Sequence, residues 1–161
     1  MLRDKNLIPL SHQHQHALAL CVRIDRASPI PDPDLPAWQS ELAQIFQSEI
    51  TIHFAAEENV LFPRAESFSD LAPIVEDLRA DHRWLREHFS RVIAGAVTCG
   101  EMRNLTDRLS SHIRKEERLL FEGMQKQMSR EELDALGKKL QDALKDATQA
   151  CALRPAKQEF K

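Results

Sequence analysis

Tyrosine is absent from the chain, which excludes any chemistry that needs a phenol. Glycine is scarce: four residues in 161 leave little material for tight turns, and with 42% hydrophobic and 29% charged residues the composition favours helices over a turn-rich β fold. Cysteine is limited to Cys21, Cys99 and Cys151, an odd number with no Cys-x-x-Cys spacing, so reduced thiols and a cytoplasmic location are expected rather than a disulfide framework. Excess positive charge is missing too: the net charge is −3, and no electrostatic footprint for nucleic acid is visible. No run of 18 apolar residues exists to cross a membrane, and the N-terminus leads into no apolar stretch of the signal-peptide kind. A chain of 161 residues suits one hydrophobic core.

What is present is helical periodicity cut by breakers. Apolar spacing predicts helices over about Leu10–Ala27, Ala37–Phe62, Pro73–Val97 and Glu101–Met128. The breakers are Ser28-Pro29-Ile30-Pro31-Asp32-Pro33-Asp34-Leu35-Pro36, then Pro63 and the polar connection 64–72, then a turn at Cys99-Gly100. Ser129-Arg130-Glu131-Glu132 has the form of a capping box and opens a fifth helix to about Ala150, followed by a frayed tail, Leu153–Lys161. Short connections between long helices imply an all-α, antiparallel up-down-up-down four-helix bundle with an additional C-terminal helix. The expected division is a bundle over 8–128 and a helix and tail over 129–161.

The informative motif occurs twice. His53-Phe54-Ala55-Ala56-Glu57-Glu58-Asn59-Val60-Leu61-Phe62 recurs 59 residues later as His112-Ile113-Arg114-Lys115-Glu116-Glu117-Arg118-Leu119-Leu120-Phe121. A His and a Glu four residues apart lie on one helix face, about 5–6 Å apart at Cβ. Both pairs fall on apolar stripes, Trp38/Leu42/Ile45/Phe46 continuing to Val60/Leu61, and Met102/Leu105/Leu109 continuing to Leu119/Leu120. Charge placed on an apolar face is costly unless it is paired or ligates a metal. His82 lies in phase with Ile74, Leu78, Leu85, Phe89 and Val92, and His14 with Leu10, Leu18 and Cys21. His12 and His16 are each rotated about 200° from that stripe and stand as alternatives to His14 on helix 1. A lone His on an apolar face is ordinarily a hydrogen-bonded core residue, and a lone His-x-x-x-Glu an exposed helix pair. Two matched copies with in-phase histidines on the other helices point instead to a metal site. His88 is off its stripe. Glu58 and Glu117 are rotated about 100° from their ligand neighbours and read as rim groups or as groups that touch the ligands from behind, while Asp81 and Glu49 are candidates to orient imidazoles.

Leu10-Ser11-His12-Gln13-His14, Asp81-His82 and the doubled His-x-x-x-Glu-Glu together resemble the hemerythrin-like, or HHE cation-binding, domain over roughly residues 8–128. The resemblance implies a non-haem di-iron centre, oxo- or hydroxo-bridged, with His14, His53, Glu57, His82, His112 and Glu116 as ligands. Zn or Mn suits the same donors in place of Fe. The chain departs from the oxygen carriers: the positions four residues from His82 are Leu78 and Arg86, so the third helix lacks their His-x-x-x-His pair. On two six-coordinate irons, four His, two bridging carboxylates and a bridging oxygen leave about two positions open. That suits redox chemistry or binding of O2, NO or peroxide rather than reversible storage of O2. Three functions are carried forward: a protein that binds or senses O2 or NO or handles iron; a di-iron enzyme with peroxidase-like, NO-reducing or iron-donating activity; and a bundle tied structurally by metal. The stripe Leu133, Leu136, Leu140, Leu144 is expected to pack on the bundle or to form a homodimer or protein contact.

Overall fold

A computed structural model describes residues 2–152, with side chains described through Lys145. The expected frayed tail, Leu153–Lys161, and the Cys151 side chain lie outside the described residues. Five helical rods succeed one another along the chain, and no strand occurs among the described residues. α1 is Ile8–Ala27. α2 covers 35–65 without a break and α3 is Ala72–Ile93. α4 covers 99–127, and α5 is Arg130–Ala152. The first four pack in a ring, α1 on α2 and α4, α3 on α2 and α4, as an antiparallel bundle.

The ends of these rods arise from local chemistry. α1 starts at Ile8, with Pro9 in the first turn where its missing N–H costs nothing. α3 stops at Ile93, earlier than the periodicity predicts, because Gly95 takes φ +68. The Gly95 N–H then donates to the Val92 carbonyl and the Ala96 N–H to the Arg91 carbonyl, closing the helix in a Schellman motif. The turn expected at Cys99-Gly100 is instead the first turn of α4. Thr98 caps it: its hydroxyl accepts from the Glu101 N–H, and its own N–H donates to the Glu101 carboxylate. The capping box read at Ser129 is present, with Ser129 and Glu132 bonded reciprocally.

Three widened turns, with N–H bonded to the carbonyl five residues back, interrupt the long helices at Phe46–Ile50, Glu57–Leu61 and Glu116–Leu120. Two of them begin at the repeated glutamates. The turn at Glu57 also explains why α2 runs past Pro63: the α-helix restarts at Phe62, so Pro63 falls in a first turn where it is tolerated. The turn at Glu116 shifts the register of the rest of α4. Leu120 is buried while Leu119, expected on the core stripe, is 51% exposed.

The core has two apolar clusters. One gathers Ile24, Leu42, Phe46, Phe89 and Met102 near the proline-rich connection. The other gathers Leu7, Leu61, Phe62, Leu78, Phe121 and Met124 with Leu133, Leu136 and Leu140 of α5. The α5 stripe is therefore spent inside this chain, covering the bundle beside the ligand-bearing part of α2. Between the clusters lies a layer of buried polar side chains.

Candidate metal centre

His14, His53, Glu57, His82, His112 and Glu116 meet in that layer, all buried, one from α1, two from α2, one from α3 and two from α4. They form two overlapping groups, His14/His53/Glu57/Glu116 and Glu57/His82/His112/Glu116. Both glutamates belong to both groups, and their oxygens are divided between them. Glu57 Oε1 lies 2.9 Å from His53 Nε2, while its Oε2 lies 3.4 Å from His82 Nε2. Glu116 Oε2 lies 3.1 Å from His14 Nε2, while its Oε1 lies 3.3 Å from His112 Nε2. Despite these short distances, all four oxygens are buried without a hydrogen bond of acceptable geometry. Two such carboxylates side by side are strongly unfavourable unless a cation satisfies them.

The imidazoles make the same demand from the other side. His14 Nδ1 is 2.7 Å from the Glu117 carboxylate, His53 Nδ1 is 2.7 Å from the Gln13 side-chain oxygen, and His82 Nδ1 is 2.8 Å from Glu58. These partners accept, so each Nδ1 carries a proton, and a ring with no second proton turns a lone pair inward at Nε2. Yet the Nε2 atoms of His14 and His53 are 2.8 Å apart, and those of His82 and His112 are 3.1 Å apart. Lone pairs at that range repel unless something positive lies between them. The donor set thus fits a divalent cation at each end. Protons are the alternative positive charge. Burial opposes charging His14, but Glu116 and Glu117 outweigh it and raise its pKa to about 9. For His112 burial is likewise overcome, by Glu116 and Asp81, and the pKa rises to about 10. His82 moves up against burial through Glu57 and Glu58. Burial pushes the Glu116 carboxyl up, but His112 and His14 prevail and hold it well below the usual carboxylate range.

An outer ring of ions holds the inner groups. Arg86 grips both oxygens of Glu58 at 2.7 and 3.0 Å, and Arg3 with Ser11 holds Glu117 at 2.6 and 2.7 Å. Arg108 and Lys115 hold Asp81 at 2.8 and 3.3 Å. The rings are also packed: Phe54 stacks on His82 at 3.7 Å, Phe62 lies 5.3 Å from His82 and Phe121 5.7 Å from His14. The closing Phe of each repeat therefore covers an imidazole of the opposite helix pair.

His12 and His16 are exposed, and His16 pairs with Glu49 at 3.2 Å. Glu49 therefore does not orient a clustered imidazole. His88 stacks on Trp84 and bonds its backbone carbonyl, away from the layer. Asp81 acts across the bundle, 3.5 Å from His112 Nδ1, and not on its neighbour His82. Arg86 faces Glu58. Gln13 escaped the sequence reading; the signal was its place before His14, matching Asp81 before His82. Beside the layer is a cavity of about 20 Å³, lined by Ala17, Ile50, Leu109 and Ile113 with His14, His53, His112 and Glu116, which is room for one water-sized guest.

Fold and site together define a helical metal-binding domain in which two carboxylates are shared by two pairs of imidazoles. The family model of the hemerythrin HHE cation binding domain matches residues 9–124, and the chain belongs to that family. No curated protein and no solved structure gives a significant match to it. Among the described residues no helix is long and apolar enough to cross a membrane.

Proposed function

We propose that the chain holds two irons, one at His14 and His53, the other at His82 and His112, with Glu57 and Glu116 bridging them. The observation that carries this reading is the division of each carboxylate, one oxygen toward each imidazole pair. In this reading the metal-binding unit is 8–128, and 129–161 is an accessory helix and tail. Such a centre supplies a redox-active seat for O2, NO or peroxide. The chain's own part is to orient four imidazoles through Glu117, Gln13, Glu58 and Asp81, to exclude bulk water with Phe54, Phe62 and Phe121, and to leave a mainly apolar cavity of about 20 Å³ beside His14, His53 and His112. A small uncharged gas suits that cavity; a charged substrate does not. Binding or sensing of O2 or NO is therefore the favoured function, ahead of iron donation. A purely structural metal gives the cavity no role.

The test is metal content by mass spectrometry after anaerobic reconstitution with Fe(II), then the absorption spectrum on admitting air, then NO. About two irons per chain with new near-ultraviolet bands are expected. His112→Ala is expected to lose iron, and full occupancy in that variant would sink the ligand assignment. A single tightly held zinc would favour the structural reading.

A further inference from the structure

The two helix pairs repeat one another closely around the layer. His14 matches His82, His53 matches His112, and Glu117 and Glu58 each reach across to the other pair's first histidine. Among the four groups that face the Nδ1 atoms of the ligating rings, the repeat fails at one. Where α1 places Gln13 against His53 Nδ1, α3 places Asp81 against His112 Nδ1.

We infer that this exchange makes the two ends unequal metal sites: Asp81 makes the His82/His112 end fill first and hold tighter, and Gln13 leaves the His14/His53 end weaker and exchangeable. An acceptor behind a ligating imidazole fixes its tautomer and raises its basicity, and a carboxylate does so more strongly than an amide. His112 Nδ1 makes no hydrogen bond of acceptable geometry, and Asp81, 3.5 Å away, acts on it through its charge, which a neutral amide lacks. Arg108 and Lys115 hold the carboxylate beside the ring. Arg108 is about half exposed and Lys115 28% exposed, so solvent screens part of their opposing charge.

The inference rests on the two-ion reading, and the experiment separates their failures. Protein labelled with ¹⁵N-histidine is titrated with Zn(II), a diamagnetic probe, and the ring signals are tracked by NMR. Up to one equivalent, the His82 and His112 signals are expected to move; His14 and His53 respond with the second. In Gln13→Glu/Asp81→Asn the order is expected to reverse. By calorimetry Gln13→Glu alone is expected to strengthen the second step, and Asp81→Asn alone to weaken the first, each by about 10-fold or more. Proportional movement of all four histidines from the first addition, or an unchanged order in the exchanged variant, overturns the inference and leaves two-ion binding standing. Should the double variant not fold, an unchanged second step in Gln13→Glu overturns it. No response of these histidines to zinc overturns both.

Discussion

The polar layer and the apolar clusters on either side of it are built from the same four helices by opposite rules. In the clusters, burial itself stabilises: Phe46, Phe62, Phe89 and Phe121 have no polar atom to satisfy, and each removes a large apolar area from water. In the layer, burial works against the chain, because Glu57 and Glu116 are fully enclosed with no hydrogen bond to either oxygen of either group. The clusters are complete as folded, whereas the layer is complete only with added positive charge. Stability and binding are therefore separable properties of one bundle.

The largest expected effect comes from breaking the layer at its shared member. Glu116→Ala should abolish binding at both ends, with metal content falling well below one ion per chain. It should also destabilise the metal-free protein by about 3–5 kcal/mol, since His14 and His112 lose their buried partner. Metal analysis and urea unfolding read the two consequences. Breaking a cluster should give the complementary result. Phe62→Ala is expected to cost about 3–5 kcal/mol in thermal or urea unfolding, yet the folded variant should still take up its full metal complement at saturating metal.

A third test uses pH. The His14 and His112 pKa values, raised from 6.5 to about 9 and about 10, stabilise the metal-free fold fully below pH 6.5, and this contribution is lost as pH rises through 9–10. The lowered Glu116 acts in the other direction, stabilising above pH 4.5 and losing its contribution as pH falls toward its folded value. Metal competes with those imidazole protons, so metal affinity should rise over the interval in which the metal-free fold weakens. Urea midpoints at pH 6 and pH 9, with chelator and with metal, should change in opposite directions; parallel changes would mean the layer does not exchange protons for cations. The smallest effect is expected from His88→Ala, which leaves the layer untouched: metal content unchanged, and stability altered by less than about 1 kcal/mol.

The fold was legible because its signals are local and periodic: stripes on α2, α3 and α4, prolines between α1 and α2, the Ser129 capping box. The helix ends that differ were marked by residues to which the periodicity assigned no role. Gly95 is the αL cap that stops α3, and Thr98 with Glu101 forms a capping box where a turn was expected. The six clustered residues were legible as facing one interior because phase alone places them there. Of their outer partners, Glu58, Glu117 and Asp81 were legible as candidates, but Gln13 was not, nor which imidazole each meets, since Gln13 on His53 and Glu117 on His14 join helices whose relative rotation and height periodicity does not encode. The widened turns at Glu57 and Glu116 fall on the two copies of Glu-Glu-x-x-Leu-Phe, a stretch that hydrophobic periodicity reads as continuous helix.

Those widened turns have a consequence for chain length. The turn at Glu116–Leu120 holds its residues in a wider coil than an α turn, and so sets the rotation of Leu120, Phe121 and Met124 against the helix that precedes them. Closing residues 116–120 into ordinary α turns with no residue removed would turn every later core position by about one residue's rotation, roughly 100°. The damage would spread from one turn to the whole cluster beneath α5. For the last third of this bundle, the number of residues is as strict a specification as their identity.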